Sequence, residues 1–308
     1  MNRVGSFWTK VLYALVAFML LTLFFLSGAD SNSSLSLIQD YKFLKVGIGL
    51  LCIAAAAVPL FIISSFATKS AINNNMALSL FLIIVFASSG ALYLSYTHLS
   101  LILFAWGEYF YLRDSNFKAS LCQTVAAIFV PQTMWAIPLM LVVNTVGKQD
   151  VIRTVIVNLF GALIPVLYLL VYRHVLYKDA VEYILQFWDN MLSISSPVLS
   201  LSFIEIFLAV ILAIMLVRSF MHILLGYSKY NIVTEGVIKR ELIISIIFLS
   251  IYILFWGNSE LSLNIIFAFP ASIVLCALLT QSLSSPYSKI ELILFICALI
   301  LLRLDSFI

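Results

Sequence analysis

Eleven apolar runs, six of them long enough to cross a bilayer, follow one another from residue 11 to residue 302, separated by more polar segments. A membrane-crossing helix needs about 17–25 apolar residues, because a rise of about 1.5 Å per residue must cover about 30 Å of hydrocarbon. The runs occupy residues 11–28, 46–67, 77–96, 99–112, 121–131, 134–146, 154–172, 198–217, 242–256, 264–283 and 290–302. Few folds accept such a pattern. Of the 308 residues, 63% are hydrophobic and only 10% charged, and the mean hydropathy is +1.12. Soluble domains average about 45–50% apolar and about 25% charged. The expectation is therefore all-α: a polytopic transmembrane helix bundle of about ten or eleven spans, forming a single membrane domain over 1–308 with no room for a soluble one.

The first run, preceded by Arg3 and Lys10, is too long for a secretory signal core and lacks an A-x-A site, so a retained first span is expected. Runs 121–131 and 134–146 are short, and Pro131 and Pro138 interrupt them. Two short helices, one kinked helix and a re-entrant hairpin all satisfy that pattern. With the N-terminus in the cytoplasm and an even number of crossings there, twelve of the 17 Lys and Arg residues fall on the inner side, Lys239 and Arg240 among them. This bias predicts a multi-pass protein of the bacterial inner membrane with its C-terminus outside.

Two outer loops carry helical periodicity. In 30–45, Leu35, Leu37, Ile38, Tyr41 and Leu44 share a face; in 178–196, Val181, Ile184, Leu185, Trp188 and Leu192 oppose Asp179, Glu182 and Asp189. Both read as helices lying on the outer interface.

Catalytic signatures are absent from the chain: no GxxxxGK[ST], GxGxxG, HExxH or GxSxG occurs. His98, His174 and His222 are scattered, and Cys52, Cys122, Cys276 and Cys297 sit singly in apolar runs, so no metal site and no cofactor are expected. The net charge of +3 comes without a basic, aromatic-rich cluster, which argues against nucleic acid. No motif assigns an enzyme class.

Polar groups at membrane depth remain. An ionisable residue there costs about 2.5–3.5 kcal/mol on insertion scales. Glu205, in the run 198–217, shares a face with Ser202, Ala209 and Ala213 and reads as a hydrogen-bonded acid in the bundle or a coupling acid. Glu108, in the aromatic stretch Trp106 to Tyr111, lies near the inner surface, where Arg113 and Lys118 would pair with it. At the outer face, Asp30 and Asp40 of the first loop and Arg173, His174 and Lys178 at the exit of 154–172 form an acid-and-base set. The cations could hold a lipid-linked phosphate, and a carboxylate could act as base toward an acceptor hydroxyl. The plain alternative is a pair of interfacial helices anchored by snorkelling charges.

The segments LILFAWGEYFYLRD (101–114) and KASLCQTVAAIFVPQTMWAIPLMLVV (118–143), the turn 148–153 and the late FAFPASIVLCALL (267–279) resemble an uncharacterised family of bacterial polytopic inner-membrane proteins. That resemblance implies location and topology and no chemistry. More loosely, an acid in the first outer loop followed by an interfacial helix resembles membrane glycosyltransferases that use polyprenyl-phosphate sugars, in which Asp30 or Asp40 would be catalytic. Three functional expectations follow: envelope biogenesis on a lipid-linked glycan at the outer face, a non-catalytic subunit packed against other inner-membrane proteins, and a transporter. Membrane lipid, polyprenyl-phosphate-linked glycan and other membrane proteins are the candidate partners.

Overall fold

The computed structural model describes residues 10–18, 42–68, 71–87, 91, 94–145, 150–192, 203–224, 232–254, 263–282 and 286–305. Among them every regular element is helical and no strand occurs, as the runs predict. In chain order the helices are α1 (10–18), α2 (Lys42–Thr68), α3 (Ala71–Ala87), α4 (Tyr96–Leu112), α5 (Asn116–Phe129), a 3-10 turn (Pro131–Trp135), α6 (Ala136–Val143), α7 (Val151–Leu176), α8 (Ala180–Leu192), α9 (Phe203–Leu224), α10 (Ile232–Leu254), α11 (Leu263–Ser282) and α12 (Pro286–Asp305).

Helix α11 is the axis of the core. Every residue from Ile265 to Leu279 is buried, and the helix packs on α3, α10, α4 and α9. An aromatic ladder ties these together: Phe104 of α4 stands edge-on to Phe248 of α10 (5.1 Å) and to Phe269 of α11 (6.0 Å). Phe81 of α3 meets the other side of Phe269 at 6.4 Å. Helix α2 fills the flank between α3 and α4. Around this core many large apolar side chains face outward, most densely on α7.

Two helices among the described residues are long and apolar enough to cross a membrane, Leu44–Ser65 (mean hydropathy 2.7) and Val151–Leu176 (2.3). Shorter apolar stretches lie at Asn74–Ala87, Pro131–Val143, Ile206–Met221 and Ile265–Leu279. The expected run 77–96 divides, since α3 ends at Ala87 and α4 begins at Tyr96. His98 helps start α4: its Nδ1 accepts the Ser95 backbone N–H at 3.3 Å, and its Nε2 donates to the Ala91 carbonyl at 2.8 Å. It is a buried structural histidine.

The proline-broken region folds back on itself. A continuous helix would put residues 123 and 144 about 30 Å apart; instead Asn144 Nδ2 donates to Gln123 Oε1 at 3.2 Å. Of the three alternatives the single kinked helix is ruled out, since two short helices fold back on each other. Pro131 opens the 3-10 turn and Pro138 lies in the first turn of α6, both places where a missing N–H costs nothing.

Helix α8 spans most of the predicted interfacial segment, with Val181, Ile184, Leu185, Trp188 and Leu192 all exposed along it. Its far end is held by the hairpin tip. Gln132 Nε2 donates to the Asn190 carbonyl at 3.0 Å, and Trp135 Nε1 donates to the Met191 carbonyl at 3.1 Å, meeting carbonyls that a helix end leaves orphaned. The first outer segment is described only from Lys42 onward, where it is already α2.

Candidate functional site

Helix α10 begins ten residues ahead of the apolar run that announced it. An i,i+4 pair between Glu235 and Lys239 (2.7 Å) supports its first turns, and Val237, Ile238 and Leu242 bury one side of it. As a result Arg240 and Glu241, expected in a cytoplasmic loop, lie inside the protein at 6% and 1% exposure.

Arg240 is the centre of a buried polar knot. Its Nη1 donates to Glu108 Oε2 and, at 3.1 Å, to Glu241 Oε1. Its Nη2 donates to Asn144 Oδ1 at 2.8 Å. The guanidinium carbon sits 3.8 Å over the ring of Tyr111, one turn beyond Glu108 on α4. Gln123 Nε2 donates to the second oxygen of Glu108 at 2.8 Å. Glu108 is wholly buried, so both of its oxygens are satisfied from inside the protein. Four helices thus supply one network: α4 and α10 bring the charges, and both arms of the hairpin bring amides. Gly107 lets α5 come close enough, since a Cβ there would stand 3.1 Å from Gln123 Cγ and 3.2 Å from the Ala119 carbonyl.

Two atoms of the knot, Arg240 Nε and Glu241 Oε2, have no hydrogen-bond partner. The charge count is uneven as well, with one guanidinium facing two carboxylates. In a low-dielectric interior an unpaired charge is costly, so such a site demands a further positive charge.

The expected partners of Glu108 are engaged elsewhere. Arg113 lies over the Tyr109 ring at 5.5 Å and Lys118 over the Phe110 ring at 5.7 Å, and both are exposed. Glu108 is buried inside the protein, and its ion pair is with Arg240 in place of Arg113 or Lys118. Glu205 is the third residue of α9, but its side chain lies outside the described ones.

At the other end of α7, Arg173 Nη2 donates to Asp179 at 2.6 Å, and its guanidinium stacks on the Tyr177 (5.0 Å) and Tyr183 (4.6 Å) rings. Burial pushes the Tyr183 phenol up, against the pull of that guanidinium. Arg173 therefore fixes the α7–α8 corner. His174 and Lys178 are exposed beside it, and Lys178 takes the left-handed conformation that ends α7 (φ 56°). Asp30 and Asp40 lie outside the described residues. Among the described residues no group of His, Cys, Asp and Glu could hold a metal ion.

Comparison with protein-family models, with curated proteins and with solved structures gives no match. What the fold and site define is a class: a protein whose described residues are all-helical, with two membrane-length helices among them and a charged knot in its interior.

Proposed function

We propose that the protein is a multi-pass helix bundle of the bacterial inner membrane, N-terminus cytoplasmic, and that the knot around Arg240 is the coupling centre of a cation-coupled transporter. Support for the membrane comes from burial. The apolar windows of Leu44–Ser65 and Val151–Leu176 are only 39% and 22% buried, whereas the apolar core helix of a soluble protein would be mostly covered. Oily side chains turned outward in such numbers need hydrocarbon as solvent.

The single observation that carries the coupling centre is a guanidinium and two carboxylates, each at most 6% exposed, drawn from two helices and bound by a broken-helix hairpin. Ionisable groups at membrane depth mark ion paths and relays. Interrupted helices that bring polar groups to one buried point are the way transporters build coupling sites. The glycan-enzyme reading draws on Asp30 and Asp40, outside the described residues, and on Arg173, already engaged by Asp179. The subunit reading has no feature of its own in the structure.

The test needs no known substrate. Proteoliposomes adsorbed on a solid-supported membrane are stepped in pH and the displaced charge is recorded. Wild type is expected to give a transient current, and the neutralised variant E108Q/R240Q/E241Q the trace of empty vesicles. A wild-type trace equal to that of empty vesicles would overturn the coupling reading. So would a triple variant, shown folded by its helix content, that keeps the wild-type current.

A further inference from the structure

Resting on that coupling reading, we infer that Glu241 carries the exchangeable proton of the knot, while Glu108 is the permanent counter-ion of Arg240. Hydrogen-bond occupancy separates the two acids. Glu108 accepts from Arg240 on one oxygen and from Gln123 on the other, which is the environment of an ionised carboxylate. Glu241 accepts once, from Arg240 on Oε1, and its Oε2 is buried without a partner. Of the four carboxylate oxygens in the knot, Glu241 Oε2 is the one with no donor to hold it as an anion, and so the one a proton stabilises most.

Among the described residues around the knot, Glu241 is the one acid with a buried oxygen that lacks a donor. On α10 itself the neighbours are Arg240 and, two turns earlier, Glu235, which is tied to Lys239. From α4 and the turn after it come Glu108, Tyr111 and the exposed Asp114, and from the end of α6 the neutral Asn144. Helix α11 has no charged residue. On α9, Arg218 is paired with Glu291 of α12 (2.5 Å). Lys45 of α2 is buried but makes no ion pair with either acid among the described residues. With the proton on, one cation faces one anion. With it off, two carboxylates share one guanidinium, and Glu241 competes with Glu108 and Asn144 for Arg240. Drawing Arg240 toward Glu241 would weaken its bond to Asn144, the contact between α10 and the end of α6, which is the conformational step that coupling requires.

Infrared spectroscopy of the full-length protein in lipid reads this directly. Wild type is expected to show the carbonyl stretch of a buried protonated carboxyl at a pH where exposed carboxyls are already ionised, and to lose it as the pH rises further. E241Q is expected to lack the band at every pH, to match the wild-type melting temperature in acid, and to lose the pH-step current. Its melting temperature should stay flat with pH while that of wild type declines. E108Q, which removes the counter-ion, should melt below E241Q. Persistence of both band and current in E241Q, with their loss in E108Q, would overturn the assignment to Glu241 and leave the coupling centre standing. Loss of the current from wild type itself is the separate failure of the coupling reading. An E241Q protein that does not fold also counts against the inference, since glutamine is isosteric with a protonated glutamate. Stabilisation of wild type at high pH by NaCl but not by choline chloride would mean a bound sodium ion and likewise overturn it.

Discussion

Arg240 is the residue on which the interior depends most. Its replacement by Ala would leave Glu108 buried with no cation, and removing one partner of a buried pair costs about 3–5 kcal/mol. Thermal melts in detergent are expected to show that loss, with a much smaller one for Lys239→Ala on the exposed side of the same turn. A second residue-scale prediction concerns packing. A Cβ at Gly161 would approach the Phe117 carbonyl at 2.7 Å and Ser120 Cβ at 3.0 Å. Gly161→Val is therefore expected to prise α7 from α5 and cost about 1–3 kcal/mol, read as a drop in melting temperature. Of the knot, Glu108 was legible as an acid with no business in an apolar run. Its partner was not, because Lys239-Arg240-Glu241 reads as a solvated charge run. The available signal was the pair of Glu235 with Lys239 at helical spacing, continuing the period of Val237, Ile238 and Leu242 back from the run.

At the scale of elements, the hairpin and α8 form a unit. The tip side chains Gln132 and Trp135 cap the end of α8, and Arg173 pins its start. Trp135→Phe removes one hydrogen bond, a net of about 0.5–1.5 kcal/mol. Faster hydrogen exchange confined to the last turn of α8 is the expected outcome, with α11 unchanged. Asn144→Ala strips an acceptor from Arg240 and a donor from Gln123. Exchange should then quicken across α6 while the helices of the core stay protected. The prolines made a break at 131–138 legible, but not its shape. Proline ends a helix, and it takes the bond between the amides of Gln123 and Asn144, beside Arg240, to hold the two halves together. Helix α8 was legible in full, because its five apolar side chains recur at helical spacing.

For the molecule as a whole, the apolar runs foretold an all-helical chain and most of its elements. They placed α11 to within a residue at either end but overran α3, which ends at Ala87 where the run continued to 96. Outward-facing positions on α7 carry a consequence. Leu163→Lys, at a site 44% exposed, should reduce the membrane-inserted fraction of the expressed protein, since a charge at the centre of a span costs about 2.5–3.5 kcal/mol. Thr154→Lys would instead fail by disturbing the buried side.

Spin labels placed singly along α7 in lipid vesicles test the lipid-embedded bundle most directly. Labels at Phe160, Leu163 and Leu167 are expected to relax with dissolved oxygen and to be shielded from a water-soluble nickel reagent, while Asn158 and Ala162 answer to neither. Relaxation of the first three by the nickel reagent, at the level of an exposed loop, would place that face in water and contradict the account.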